Sequence, residues 1–503
     1  MKSYGYAAAT ACAVVALTIA TSVQARESMK RRPISALEAK DTRVPATPIV
    51  TAYPTAAAGD GNTSNGYNPL RWAEDWTKMR DPAKRDDPID HIKYIPLGSD
   101  DVYLTVSGEL RLRMNTTSNP QARELPYQRQ DAYRVFLGAD LHVGEHVRAY
   151  GELARGVMTG RNLGTLSGTL RNDFLVQQAF VDVTGSVANL DVGVRVGRQI
   201  FIDGANLLIA NRGNNTVQTS LTGVRVWALG SKARVDVFDL YYTDFGNGGF
   251  GDDPTDHDRR FSGVSAGYVL PTNLFGKSRL YLDPFVWRLR NRNTTWGAET
   301  AREERVYTGA HLWGDVGPLT LDWTVNHQGG SYGSRTLDAW QILLAQTYRL
   351  GKSNTAPRLG LHVDYASGGG AYDRGKLRNA FAPYGNNIYY SYAGFLTPTN
   401  LIAVAPSLTV MPTKKLRVTG EYQFSWRATT RDAIYRANGL PFTGTSGRGD
   451  RKTGDVARLQ AIWSLTPRLS VTGRLEHLLA HGGLTDNGYH SSSYAGAWVS
   501  FRF

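Results

Sequence analysis

The thirteen residues Val102–Met114 (VYLTVSGELRLRM) constrain the rest of the chain more than any other stretch. Side chains in a strand alternate faces, so Val102, Leu104, Val106, Leu110, Leu112 and Met114 share one side. Tyr103, Thr105, Ser107, Glu109, Arg111 and Arg113 share the other. The pattern recurs in 131–143, 146–153, 174–183, 189–196, 221–228, 233–242, 261–270, 278–288, 304–314 and 319–327. It continues in 338–350, 357–366, 401–411, 415–426, 455–465, 469–478 and finally 492–503, which ends on Phe503. Two faces over so many segments predict an all-β antiparallel sheet of about 18 strands.

Export decides what such a sheet is for. Lys2, an apolar run from Ala7 to Ala20, and Val23-Gln24-Ala25 before Arg26 read as a secretory signal, residues 1–25. That apolar run is too short for a membrane helix, and no later stretch reaches the ~20 apolar residues required. The single cysteine, Cys12, lies inside the signal, so thiol catalysis, disulfides and thiolate metal sites are not expected in the mature protein. A bilayer accepts only helices and closed barrels, because an unpaired backbone group in lipid costs several kcal/mol. An exported chain with two-faced strands and no membrane helix is therefore read as a transmembrane β-barrel of a Gram-negative outer membrane.

The connections carry independent information. Even-numbered strands end in short turns such as Gly144-Glu145 and Thr466-Pro467, whereas odd-numbered strands end in long segments such as 197–220, 367–400 and 427–454. A soluble sandwich gives no reason for sorting by parity. A membrane barrel with short periplasmic turns, long outer loops and both termini periplasmic does. The two longest loops are expected to fold inward as a gate. Residues 26–66 are rich in Ala, Thr and Pro and read as a disordered periplasmic tail. Residues 67–101 carry aromatics and an IKYIPL run, and read as an ordered lead-in at the periplasmic mouth or in the lumen. The barrel itself is expected over 102–503.

The inward faces supply the candidate lumen residues Arg111, Arg113, Arg134, Arg148, Arg195, Arg305, Arg358, Arg417, Arg458 and Arg474, with Glu109, Asp140, Glu152, Glu421 and Glu476 among them. Pro284 suggests a bulge that leaves Arg288 unassigned. The formal charge is +13, and rings of always-charged Arg suit an anion-selective pore. Pairing of these arginines with neighbouring acids, as wall bracing, is the structural alternative.

The chain resembles the alginate-export family of outer-membrane barrels. The likeness rests on HIKYIPLGSDDVYLTVSGELRLR, on QQAFVDV with Gly197-Arg198-Gln199, on FAPYGNNIYYSYAGFLTPTN, and on FSWRATTRDAIYRANGLPF with Trp426, Arg427, Asp432 and Tyr435. It implies a monomeric 18-stranded channel whose electropositive bore passes an anionic uronate polysaccharide. Where relatives carry Gly-x-x-Arg-Leu after GRQ, this chain has Gly204-Ala205-Asn206-Leu207-Leu208, so the resemblance speaks more for fold than for cargo.

Expected partners are an anionic poly- or oligosaccharide, outer-membrane lipid, the barrel-assembly machinery through Phe503, and periplasmic export or synthesis proteins. No cofactor and no nucleic acid is expected. The alternatives are an uptake porin for oligosaccharides or small aromatic or carboxylic acids, and a barrel lipase, which would need a Ser–His pair at one rim. The acidic loop with Asp252, Asp253, Asp256 and Asp258 fits no EF-hand spacing and reads as a solvated tip.

Overall fold

The structure is a computed structural model that describes Tyr53, residues 66–68 and residues 70–503 other than 205 and 387. The signal segment and all of the tail but Tyr53 and Gly66 lie outside the described residues. Eighteen antiparallel strands make up the wall. They are β1 (Ser99–Thr117), β2 (Gln128–Val143), β3 (Val147–Arg161), β4 (Asn172–Val187), β5 (Leu190–Gln199), β6 (Leu221–Leu229), β7 (Ala233–Thr243), β8 (Thr255–Val269) and β9 (Ser278–Trp296). Then follow β10 (Glu299–Val316), β11 (Leu319–Tyr332), β12 (Arg335–Arg349), β13 (Arg358–Ala366), β14 (Leu401–Thr413), β15 (Leu416–Trp426), β16 (Lys452–Ser464), β17 (Leu469–Ala480) and β18 (Ser492–Arg502).

Each strand pairs with its neighbour in sequence, and β18 returns to β1, from Glu109 opposite Arg502 to Thr117 opposite Tyr494. The seam extends to the last residue, since Gly108 N donates to Phe503 O at 2.7 Å and Phe503 N to Gly108 O at 3.1 Å. No edge is left, which satisfies the backbone in lipid. The alternation decides which face points where. On β1, Leu112 is 56 % exposed while Glu109 is 2 % exposed; on β5, Val196 is 53 % exposed while Arg195 is 2 % exposed. The outward faces form an apolar belt, and the core lies inside the cylinder.

Three expectations change. The first strand starts at Ser99, three residues earlier than the alternation suggested, because Ile95–Leu97 folds back as a short strand against it. Strands β9–β12 continue well past their apolar alternation, so the long connections expected after the ninth and eleventh strands shrink to turns at Gly297 and Gly333. The backbone ladder continues there through polar residues that no longer face lipid, and both glycines adopt positive φ. Pro284 makes no bulge: the register on both sides passes it unshifted, and only the pairing to β8 lapses at Asp283 and Pro284. Arg288 therefore points outward and pairs with Glu304.

Candidate pore constriction

Two connections leave the wall and meet inside it. The segment 200–220 after β5 and the segment 367–400 after β13 join through Ala210 N to Tyr384 O (3.0 Å), Tyr384 N to Leu208 O (3.1 Å) and Asn386 N to Asn206 O (3.1 Å). Phe201, Leu207, Leu208 and Ile209 pack with Phe238, Phe261 and Trp287 of the wall, so apolar burial holds the junction in place. Residues 367–400 thus fold inward as expected. The third long connection, 427–451, closes over them as a cap, with Ile434, Tyr435 and Phe442 in one core with Leu377, Tyr390 and Phe395.

The tip of the first segment sits on a comb of arginines. Arg111 donates to Gly213 O and Asn215 O, both at 2.7 Å, and Arg113 to Asn214 O at 2.5 Å. Arg134 reaches the same carbonyls of Gly213 (2.9 Å) and Asn215 (3.0 Å), and Arg474 the Asn214 side chain (3.1 Å). Backbone carbonyls held by guanidinium groups make charge-assisted bonds of about 1.5–3 kcal/mol each.

Most other predicted lumen residues are engaged in ion pairs. Arg148 binds Asp140 (2.6 Å), Arg195 binds Asp182 (2.7 Å) and Arg305 binds Glu303 (2.5 Å). Arg458 pairs with Glu421 and gives a second bond to Ile388 O at 3.3 Å. Glu109 receives Arg134 (2.6 Å), while Glu476 accepts from Ser391 Oγ (2.6 Å) and Ala393 N (3.3 Å) in the inward loop. Glu152 holds Arg71 of the lead-in at 2.5 Å. Arg358 and Arg417 are different. Neither has an acidic partner among the described residues, and Arg358 stands directly opposite Arg349 on the inner face. Like charges directly opposite each other are unfavourable, so this end of the bore has a positive patch that an anion would relieve.

Between the arginine comb and the cap lies a cavity of ≈ 240 Å³, bordered by Arg113, Asn115, Gln128, Gln130, Asn214, Tyr392, Arg436 and Tyr494, with no Asp or Glu in its lining. Arg113 is the only residue of the predicted set in that lining. Arg436, Asn214 and Tyr392 come from loops whose paths no alternation encodes. A run of Gly and Asn (RGNNT) at 212–216 was the only local sign.

The motif residues build supports. Gly197 takes φ +133°, and a Cβ there would sit 2.2 Å from Ala179 O, so only glycine fits. Arg198 ties Val176 O (3.0 Å) to Asp253 O (2.7 Å), and Gln199 is buried beside Gly197. Trp426 lies on the outside, under Lys452 at 4.3 Å. Arg427 is buried in a cage of carbonyls, including Thr445 O (2.5 Å) and Asp450 O (3.0 Å). Asp432 accepts from Asn379 (2.7 Å), Tyr435 OH (2.8 Å) and Gly369 N (2.6 Å), and burial pushes its carboxyl above the usual range.

The lead-in docks inside the turn end of the barrel. Trp72 lies 3.9 Å from the Arg195 guanidinium, which also stacks on Phe180 at 3.7 Å. Lys93 and Glu74 form a fully buried pair at 3.4 Å, and burial shifts both toward neutrality. Arg468, in the turn after β16, holds Asp87, Asp90 (2.7 Å) and the Tyr67 hydroxyl (2.7 Å). On the outer face His477 Nδ1 lies 2.9 Å from Ser493 Oγ, but among the described residues no carboxylate reaches that imidazole to orient it.

A closed eighteen-stranded cylinder with an apolar outer belt and a bore narrowed by its own loops is an outer-membrane β-barrel channel of the porin class. The chain belongs to the alginate export family, whose model matches residues 102–497. Its fold is similar to that of *Acinetobacter baumannii* OccAB1 (14 % identity, 80 % of this chain and 96 % of that one, TM-score 0.54). It is similar also to *Pseudomonas aeruginosa* OccK2 (OpdF) in complex with glucuronate (12 %, 82 % and 98 %, 0.51) and to a BenF-like porin from *Pseudomonas fluorescens* Pf-5 (10 %, 80 % and 98 %, 0.52). No curated protein matches the chain.

Proposed function

We propose that this channel passes an anionic saccharide, a uronate polymer such as alginate, outward through its arginine-lined bore, with both termini in the periplasm. One observation carries the reading: the polar cavity at the constriction presents Arg113 and Arg436 among amides and tyrosines, with no acid to neutralise them. Guanidinium groups replace water around a carboxylate, and the Tyr392 and Tyr494 rings offer flat faces to sugar. Amide dipoles then keep each contact weak enough to release. The unopposed Arg349, Arg358 and Arg417 at the turn end would receive each carboxylate before the constriction does.

Uptake is the second reading, favoured by the likeness to OccK2 crystallised with glucuronate, because a passive pore has no built-in direction. Planar-bilayer reversal potentials test the common element. Anion preference with block by oligouronates supports it; cation preference refutes it. Accumulation of extracellular uronate polymer in cells with and without the channel separates export from uptake.

A further inference from the structure

Tyr53 precedes the lead-in in sequence and docks at its own place on the wall, two strands along from Arg195, where Trp72 of the lead-in sits. The residue is 5 % exposed and lies against the inner wall at β7–β10, nearly half the circumference from the Arg468 turn that holds Tyr67. Its backbone N–H donates to Ser231 O at 3.1 Å, and its hydroxyl to Asp283 Oδ1 at 2.6 Å. The other oxygen of Asp283 accepts from Trp313 Nε1 at 2.8 Å, so the wall itself fixes that carboxylate in place. Tyr281 and Trp313 meet the ring edge-on at 5.7 and 6.4 Å, and the Arg234 guanidinium covers it at 5.3 Å.

The floor is Gly267, where a Cβ would stand 2.5 Å from the ring carbons. Every component except the tyrosine comes from the barrel wall. The niche has a flat floor, two aromatic sides, a cationic cover and one acceptor at the depth of a para-hydroxyl. Burial also pushes the Tyr53 phenol far up, so it remains a proton donor throughout the physiological range.

We propose that this niche is a receptor for a para-hydroxyphenyl group, occupied in cis by Tyr53, which latches the amino-terminal tail to the pore wall. The site is separate from the constriction, and its test does not depend on the cargo. The sequence contains one cysteine, Cys12, so a protein carrying Cys12→Ala and Ala52→Cys reports on the latch through its maleimide labelling rate. Gly267→Ala lies in the wall and leaves the tail untouched, yet it should expel the ring. Labelling should then rise about ten-fold, as with Tyr53→Ala, while the barrel keeps its heat-modifiable migration on gels.

The Tyr53→Ala protein should bind 4-methylphenol with a saturable change in tryptophan emission that Trp313→Phe abolishes. It should bind 4-methylanisole, which has no hydroxyl to donate, about ten-fold less tightly. Labelling of the Gly267→Ala protein at the parent rate would overturn the latch. Equal affinity for the two ring compounds would overturn the receptor.

Discussion

Arg134 and Glu109, on neighbouring strands, meet at 2.6 Å, and the nitrogen that Glu109 does not use reaches the carbonyls of Gly213 and Asn215. One guanidinium thus braces the wall and holds the constriction loop. Wall bracing, the structural alternative for these arginines, is thus joined to a second task, since the same group anchors the inward loop.

Replacing Arg111 by Leu removes two charge-assisted bonds to that loop, a loss of about 3–6 kcal/mol of local hold. The barrel should still assemble, since the belt and seam are untouched. Single-channel recordings should show larger and noisier conductance. An unchanged, quiet trace would mean that the carbonyl contacts do not keep the loop in place.

Arg436→Glu places an acid in a cavity that has none. Anion preference should fall, and block by oligouronates should weaken by about ten-fold or more. The charge-neutral Arg436→Gln should lie between the two, and the reversal potential measures the order directly.

Lys93→Met strands Glu74 in the lead-in without its cation, at a cost of about 3–5 kcal/mol. The double variant Lys93→Met with Glu74→Gln should regain most of it. Protease protection of residues 67–98, followed in urea, distinguishes these outcomes.

The contact between Arg468 and Asp87 should contribute to docking of the lead-in in a pH-dependent way. The hydrogen bond from Arg468 holds the Asp87 carboxyl below its usual value. Such a group stabilises the docked form above the unfolded pKa of about 3.9, and the contribution disappears as pH falls through the lowered value. The Asp87 contribution, read as the difference in protection between the parent and Asp87→Asn proteins, should be level from neutral pH to about 5 and decline only in strong acid.

Gly197→Ala brings a Cβ within 2.2 Å of Ala179 O at a backbone angle that L-residues avoid. The seam between β4 and β5 should open there, and the fraction of heat-modifiable, folded barrel should drop sharply in refolding assays.

The wall was legible in the sequence because alternation is local: Leu112 and Arg113 declare opposite faces from adjacent positions. Loop parity separated the two ends as well, although Gly297 and Gly333 close two of the expected long connections as turns. The constriction was not legible in this way. Arg111 meets Gly213 across about a hundred residues, and nothing near either one names the other. Arg436 and Tyr392 reach the cavity on loops without a period, and Arg349 is the last residue of β12, where the alternation has already faded. The extra length of β9–β12 was hidden because strands that leave lipid lose the apolar half of their pattern.

That extra length shapes one rim of the barrel. Arg288 and Glu304, paired on the outer surface, mark where the greasy girdle ends, yet β9 continues to Trp296. About eight tilted residues at ~3.3 Å each raise this quarter of the rim ~20 Å above the lipid surface. On this flank the barrel therefore carries a hydrogen-bonded parapet, a backbone ladder that stands in water where its neighbours have already turned into loops.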